Sequence, residues 1–220
     1  MNLETSKKIL ELNQKSYSQI AEKFSDSRNF PWQEIDETIK KYVKQGDKIL
    51  DLGCGNGRLL KSLLKIITPT SSATLIPFSY LGLDNCSALI EKAQTSFLSS
   101  SPSSFLSFPR KRESRNITFI HGNILQSDKF ANNEFDIIFM MASFHHIPSQ
   151  ELREKMLQDI KRILKPNGFL IMTNWNLWQI GSRKSVWNCS KYKIFNSAYR
   201  SLITHYSLLI TDIRDTLTFW

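Results

Sequence analysis

The sequence has no apolar run long enough to cross a membrane. No window of its 220 residues approaches the ~18 uninterrupted apolar residues that a spanning helix requires. The first residues, 1–8, also lack the apolar core and small-residue cleavage site of a signal peptide. We therefore expect a cytoplasmic protein that does not contact a membrane.

Cysteine is also scarce. Cys54, Cys86 and Cys189 are widely spaced and form neither a disulfide framework nor a zinc-binding pattern. We expect reduced thiols and no bound metal. Cys54 lies among glycines without an adjacent base, so packing is the favoured role of its thiol, and a nucleophile is the alternative.

Positive charge, in contrast, is in excess. The formal net charge is +9 and the sequence pI is about 9.5, which suits a polyanionic partner such as RNA. Four of the basic residues are clustered in one segment that reads as an insertion: Arg110, Lys111, Arg112 and Arg115. Without that segment the excess is moderate, so charge alone is weak support for an RNA partner.

Apolar periodicity predicts strands that alternate with helices. The helical patterns lie at 6–23, 31–43, 59–67, 87–93 and 149–164, and the strand patterns at 48–52, 80–84, 116–121, 135–141 and 169–173. This alternation predicts an α/β fold with a doubly wound, mostly parallel sheet that binds ligands at the carboxyl ends of its strands.

The same patterns divide the chain into three parts. We expect an N-terminal helical segment at 1–45 and a core at 46–175, with insertions at 68–79 and 95–115. The second insertion is rich in serine and ends in basic residues, which are expected to be solvated or to touch RNA. Residues 176–220 show no clear periodicity and form an atypical tail.

A glycine-rich loop joins the first strand to the next helix. Gly53, Gly55 and Gly57 allow the backbone to approach a ligand closely, and their spacing differs from the dinucleotide-binding pattern. Together with Asp51, this loop resembles the first motif of class I S-adenosylmethionine-dependent methyltransferases. The resemblance implies S-adenosylmethionine as cofactor, held by Asp51, Gly53, Cys54, Gly55, Asn56 and Gly57, with the acid orienting the ammonium group.

Two further strand ends match that family. Asp84 corresponds to the carboxylate that binds the ribose hydroxyls, with Asn85 beside it; the alternative is a charge at a helix N-terminus. Asn123, followed by Ile124, stands where the family commonly has an acid that accepts from the adenine amino group. An amide oxygen can also accept that bond, but a turn asparagine is an equal alternative.

The segment 135–147 resembles the fourth motif of the family, at the strand end that faces the methyl group. It implies contact of Ala142 with the cofactor and a catalytic role for His145 or His146, as imidazole can orient or deprotonate an acceptor near neutral pH. Ordinary loop histidines are the alternative. Methyl transfer from an activated sulfonium relies mainly on positioning, so it does not require an evident base.

The N-terminal segment narrows the resemblance. Residues 17–28 and Pro31-Trp32 are similar to the entry segment of tRNA wobble-uridine methyltransferases that esterify 5-carboxymethyluridine. This similarity implies that Tyr17 and Trp32 contact the cofactor and that Arg28 acts in catalysis, for example by pairing with a substrate carboxylate. An amphipathic helix with core aromatics and a surface arginine is the alternative. Residues 175–179 also resemble bacterial relatives of this group.

Three functional hypotheses follow. The first is methylation of a modified wobble uridine in tRNA, and the second is methylation of a small-molecule substrate, because the cofactor half of this fold serves many acceptors. The third is a non-catalytic protein with a methyltransferase fold that activates or scaffolds another protein. Besides tRNA, a small activator protein is a candidate partner.

Overall fold

The computed structural model describes residues 2–67, 78–100 and 117–175, and the backbone of 203–204 and 206–211. Its helices are α1 (Leu3–Asp26), α2 (Asp36–Tyr42), α3 (Arg58–Ile67), α4 (Ser87–Ser100) and α5 (Gln150–Ile163). Its strands are β1 (Lys48–Leu52), β2 (Ser79–Asp84), β3 (Ile117–His121), β4 (Phe135–Met141), β5 (Leu164–Trp175), β6 (Ile203–Thr204) and β7 (Tyr206–Thr211). No helix within these ranges is both long enough and apolar enough to cross a bilayer.

The strands form one seven-stranded sheet in the order β3-β2-β1-β4-β5-β7-β6. Strands β1 to β5 pair in parallel, whereas β7 pairs antiparallel with β5. The prediction of a doubly wound, mostly parallel sheet is therefore confirmed. The carboxyl ends of β1, β2 and β4 meet at one edge, where such folds bind ligands.

The core lies on both faces of this sheet. Successive strand residues point to opposite faces, so a strand covered on both sides reads as a continuous apolar run. On one face, β4 packs against α5 through Ile138, Met140, Met156, Ile160 and Ile163. On the other, β1 and β4 pack against α2 and α3 through Ile49, Ile137, Phe139, Ile39, Leu59 and Leu63.

Helix α1 is much less buried than the others that flank the sheet. Of its 24 residues only Ser6, Ala21 and Ser25 are buried, while Leu12 is 63% exposed. Ala21 packs in a small apolar cluster with residues at the start of α4. The helix therefore lies over the ligand-binding edge instead of completing the core.

Two predicted boundaries shift in the structure. Helix α4 continues to Ser100, past Ala93, so the predicted insertion at 95–115 starts as helix. The rest of that insertion, with its basic residues, lies outside the described residues, as do 68–77. Strand β5 begins at Leu164, directly after α5, although the sequence predicts a turn at 165–168.

That turn forms an irregularity inside β5. Leu164 pairs with Phe135, and the register then shifts before Ile137 pairs with Phe169. Asn167 has φ +66, a conformation that asparagine adopts more readily than most residues. Helix α5 ends before the turn residues, as predicted. Pairing with β4, however, already begins at Leu164, ahead of the turn.

Within the atypical tail expected at 176–220, the structure describes the two strands β6 and β7. The backbone of β7 pairs with β5 from Leu170↔Thr211 to Trp175↔Tyr206, and β6 pairs with β7. Backbone hydrogen bonds to the free edge of β5 define this strand, and they require no alternating side-chain pattern. Of the segment 175–179, only Trp175 is described, at the end of β5.

Candidate functional site

Side chains from the strand ends and from α1 line a single cavity of about 170 Å³. Gly53 at its base has φ +83, and a Cβ added there would lie 2.5 Å from Cβ of Ser143. The Ser143 hydroxyl donates a 2.7 Å hydrogen bond to the carbonyl of Leu52. Glycine is therefore required at position 53 both by its backbone conformation and by the close approach of the chain after β4.

The glycine loop is fixed to the end of β2. The N–H groups of Gly53 and Cys54 donate to the carbonyl of Leu83, at 2.8 and 3.2 Å, and Gly55 N–H donates to Asp84 Oδ2 at 2.8 Å. Asp84 Oδ1 accepts from the N–H of Cys86 at 2.9 Å, just before α4. Burial raises the pKa of Asp84, and the hydrogen bonds from backbone N–H groups oppose this rise.

Asp84 therefore anchors two backbone segments while its side chain lines the cavity. Each carboxylate oxygen has further acceptor capacity, so the anchoring is compatible with a ribose contact. Asn85 also lines the cavity, and its carbonyl accepts from Gln14 Nε2 of α1 at 2.9 Å. The contact with Cys86 N–H before α4 agrees with the alternative of a charge at a helix N-terminus, and the ribose contact stays a prediction.

Asp51 places a buried carboxylate in the cavity wall. Its Oδ2 accepts a 2.7 Å hydrogen bond from Tyr80 Oη, whereas Oδ1 is buried with no partner among the described residues. Burial raises the pKa of Asp51 to about 7, the charge of Asp84 adds to the rise, and the Tyr80 hydrogen bond opposes it. A buried carboxylate oxygen without a partner is costly unless it meets a donor, and a ligand ammonium group fits this requirement.

The other loop residues serve different contacts. Cys54 is 6% exposed, burial raises the pKa of its thiol, and its sulfur packs where a side chain on Gly82 would stand, which favours the packing interpretation. Asn56 lines the cavity, but its Nδ2 donates to the Ser25 carbonyl and hydroxyl at the end of α1. Gly57, with φ +76, is outside the cavity lining and approaches the ring of Phe119.

The two predicted histidines occupy different positions. His146 lines the cavity, and its Nε2 is hydrogen-bonded to Tyr17 Oη at 2.9 Å. Asn13 Nδ2 donates to the carbonyl of His146 at 3.5 Å. Burial lowers the pKa of His146, so it is neutral at pH 7, while burial raises the pKa of Tyr17. His145 packs against His146, with ring centroids 4.3 Å apart, and lies outside the lining.

Arg28 and Trp32 both line the cavity. The Arg28 guanidinium lies 4.0 Å from the centroid of the Phe24 ring, and no acidic side chain in the described ranges forms an ion pair with it. Trp32 is 9% exposed, and its backbone N–H donates to Ser62 Oγ at 2.7 Å. Trp32 therefore lines the cavity and also packs in the core. The Arg28 guanidinium remains exposed at the cavity mouth.

The remaining predicted residues also line the cavity. Asn123 Oδ1 accepts from the N–H of Leu125 at 2.9 Å, which is an Asx turn, so this oxygen already has a partner. Ile124 is half-buried and packs against the core. Ala142 has φ +53, and its N–H donates to Thr173, at 3.0 Å to the carbonyl and 2.9 Å to the hydroxyl. The Asx turn is the role that the structure shows for Asn123, and the contact of Asn123 with the adenine stays a prediction, because an amide oxygen can accept a second hydrogen bond.

Sequence reasoning missed several lining residues. Those on α1 are Leu10, Asn13, Gln14 and Phe24, which lie on the same helical face as the predicted Tyr17. This face of α1 mixes apolar and polar residues. Such a mixed face is the sequence pattern that could have indicated a helix covering a polar site. No motif or periodic pattern in the sequence pointed to Arg58 or Ser143 as cavity residues.

The cavity, the glycine loop and the strand order together define a class I methyltransferase. The methyltransferase domain family matches residues 43–214, which is most of the chain, so the protein belongs to this family. Its cofactor is S-adenosylmethionine. The unpartnered oxygen of Asp51 and the close backbone approach at Gly53 fit the ammonium end of that cofactor.

Two relatives differ in their acceptors. The chain is 27% identical over 183 residues to the mouse (Mus musculus) tRNA (carboxymethyluridine(34)-5-O)-methyltransferase ALKBH8, covering 80% of this chain and 22% of the relative. It is 29% identical over 133 residues to the sterol 24-C-methyltransferase erg6 of Aspergillus fumigatus, covering 60% of this chain and 29% of the relative. The chain spans 22% to 64% of the length of such curated relatives.

Solved structures show the same fold. One is a SAM-dependent methyltransferase from Aquifex aeolicus, with a TM-score of 0.50, 19% identity and 68% of each chain covered. Another is the protein bound to the Trm112 methyltransferase activator in a Haloferax volcanii complex, with a TM-score of 0.50, 19% identity, and 73% and 59% of the two chains covered. Both similarities concern the fold alone.

Proposed function

We propose that this methyltransferase esterifies the carboxylate of a carboxymethylated wobble uridine in tRNA. The observation that carries the proposal is Arg28, an exposed guanidinium at the cavity mouth with no acidic partner in the described ranges. Guanidinium groups recognise carboxylates through paired hydrogen bonds. The relative that methylates carboxymethyluridine and the net charge of +9 support the same acceptor.

The chemistry of this acceptor suits the side chains at the site. When bound, S-adenosylmethionine supplies a methyl group on a positively charged sulfur. An acceptor carboxylate contributes its own electron pair, so the new O–CH₃ bond forms as the S–CH₃ bond breaks, and no proton has to be removed. His146, neutral and hydrogen-bonded to Tyr17, then orients the acceptor without acting as a base. Arg28 holds the carboxylate, and α1 limits the access of water.

The test is transfer of label from radioactive S-adenosylmethionine to tRNA that contains carboxymethyluridine. We expect an esterified nucleoside, and we expect kcat/KM for this tRNA to fall about tenfold or more in Arg28→Ala, because one charge-assisted contact is lost. Lys40→Ala is the matched control, since Lys40 is an exposed cation of α2 that pairs with Glu37. Label in small metabolites but not in this tRNA would refute the proposal.

Methylation of a small molecule is the second candidate. It is favoured by the apolar part of the lining, which is formed by Leu10 of α1 and by Leu89, Ile124 and Met141, and by the sterol methyltransferase among the relatives. An apolar acceptor would bind there with little dependence on salt, whereas tRNA binding weakens steeply as salt increases. The salt dependence of KM therefore separates the two acceptors.

We also propose that a small activator protein binds this chain, as Trm112 binds its partner in the Haloferax volcanii complex. The low burial of α1 supports a need for such a partner, because the cover of the site is held mainly by polar contacts. Co-expression with a Trm112 protein should raise yield and kcat. Equal yield and kcat without it would argue against an activator.

A further inference from the structure

A strongly exposed aromatic ring stands beside the cavity mouth. Phe30, in the loop between α1 and α2, is 77% exposed, the largest value among the exposed large apolar side chains of the described residues. Its carbonyl accepts a 2.9 Å hydrogen bond from Arg58 Nε, and the carbonyl of Asn29 accepts from Lys61 Nζ at 3.4 Å. The backbone under the ring is therefore held by two cations of α3.

The ring is exposed on a loop that is fixed on both sides. Beyond Phe30, the N–H of Trp32 donates to the buried Ser62 hydroxyl, and Arg58 lies 4.7 Å from the centroid of the Trp32 ring. Before it, Asn56 Nδ2 lies 3.4 Å from the carbonyl of Arg28. An aromatic side chain left in water forgoes the stabilisation that burial of its apolar surface would bring. A contact partner would recover this energy without reorganising the loop.

Charge around this ring is mainly positive. Arg28, Arg58 and Lys61 surround the loop, and Asp36 on the same side is compensated by Lys65 at 3.2 Å. The exposed acids Asp26 and Glu34 lie at the outer ends of the segment. We name the group Phe30, Arg28, Arg58 and Lys61 the basic rim.

We propose that the basic rim binds the single-stranded RNA next to the nucleotide that is methylated. A base stacks on Phe30, and Lys61 and Arg58 contact the flanking phosphates. An exposed aromatic among cations is the arrangement that binds single-stranded nucleic acid, through base stacking and phosphate contacts. Because Arg28, Arg58 and Trp32 also line the cavity, the bound strand is directed to the site. This inference rests on the proposed RNA acceptor.

The test is binding of a short fluorescein-labelled oligouridylate, measured by fluorescence anisotropy in low salt. We expect Phe30→Ala to raise the Kd about tenfold, because stacking on one aromatic contributes about 1 to 3 kcal/mol, and Phe30→Tyr to retain binding. We expect Lys61→Ala to reduce the slope of log K against log salt by about 0.7. Leu12→Ala is the matched control, because Leu12 is an exposed apolar residue of α1 away from the rim.

Any of three results would refute the proposal that the basic rim binds RNA. They are a Phe30→Ala Kd equal to the wild-type value, no binding of the oligouridylate by the wild type, and binding of the wild type only to phosphatidylserine vesicles. Thermal unfolding and calorimetry with S-adenosylmethionine check that Phe30→Ala is folded and binds the cofactor. If tRNA is methylated equally by Phe30→Ala and by the wild type, RNA binding at the basic rim is refuted and the proposed function stands. If RNA binding depends on Phe30 but no RNA is methylated, the proposed function fails, and the basic rim is an RNA-binding surface that does not present a methyl acceptor.

Discussion

Two regions enclose the cavity, and they are held by different forces. The floor consists of residues 51–56 with Asp84 and Ser143, and it is largely buried and joined by backbone hydrogen bonds. The cover consists of α1 and residues 27–32, and it is mostly exposed and attached by side-chain hydrogen bonds.

This difference separates the two halves of the function. Packed backbone tolerates little displacement, so the floor presents one fixed surface to the cofactor. A single side-chain hydrogen bond contributes only about 1 kcal/mol, so contacts of the cover can change without loss of the fold. The floor lies within residues 43–214, which match the methyltransferase domain family, and the cover lies before them.

The largest expected effect comes from disturbing the floor. In Gly53→Ala, the new Cβ would lie 2.5 Å from Ser143 at a φ of +83, so the ends of β1 and β4 must move apart. We expect a loss of several kcal/mol in the free energy of unfolding and a loss of cofactor binding by calorimetry. Gly46→Ala is the control, with φ +90 and no atom within 4 Å of the new Cβ. It should cost about 1 to 2 kcal/mol and leave cofactor affinity unchanged.

Equal effects of Gly53→Ala and Gly46→Ala on cofactor affinity would show that the close approach to Ser143 does not shape the site.

The next effect concerns the buried charge of Asp51. Its pKa is raised to about 7, so between about pH 4 and pH 7 the folded state holds a proton that the unfolded state has lost, and stability falls as pH rises. The rise of this pKa from its ordinary value of about 4 corresponds to a loss of roughly 4 kcal/mol at most. Asp51→Asn should remove much of this slope in urea unfolding, and part remains because the pKa of Asp84 is also raised.

Cofactor affinity should rise with pH, whereas stability falls. The charged carboxylate of Asp51 attracts an ammonium group, so wild-type affinity is expected to rise with pH through about 7, whereas Asp51→Asn should bind weakly at every pH. Asp26→Asn, at an exposed position, is the control for the loss of one negative charge. An Asp51→Asn variant with wild-type affinity would place the ammonium group elsewhere.

A moderate effect is expected at the junction between floor and cover. Tyr17→Phe and His146→Leu each remove the 2.9 Å hydrogen bond that joins α1 to the segment after β4. We expect the cofactor Kd to rise about three- to tenfold in each, with a coupling energy of about 1 kcal/mol in the double-mutant cycle. Ser16→Ala, on the outer side of α1, is the control. Strictly additive effects would mean that this hydrogen bond does not hold the cover.

The smallest effect is expected at Asn123. Its Oδ1 already closes an Asx turn on the N–H of Leu125, so Asn123→Ala should cost about 1 kcal/mol of stability and change cofactor affinity less than threefold. Asn123→Asp retains the turn and is the matched variant. A tenfold loss of affinity in Asn123→Ala, with stability unchanged, would instead assign this side chain to the adenine.

Prediction from sequence succeeds best for the floor. Strand β1 leads directly into the glycine loop, and Asp84 ends the next strand, so apolar runs and glycine spacing report local conformation directly at each of them. It is less complete for the cover. Asn13 and Gln14 are ordinary polar residues of a helix until tertiary packing turns them toward His146 and Asn85. Strand β7 was missed because its partner, β5, lies far away along the chain.

The sequence by itself determined the alternating fold and the glycine loop, because these depend on periodicity and on the local backbone freedom of glycine. The cofactor followed from the resemblance of that loop to the first motif of class I methyltransferases. Tertiary structure decided which histidine faces the cavity, that one oxygen of Asp51 is buried without a partner among the described residues, and that Phe30 is displayed beside three cations. These features depend on contacts between segments distant in sequence. Such contacts are formed by packing and burial, which no local pattern encodes.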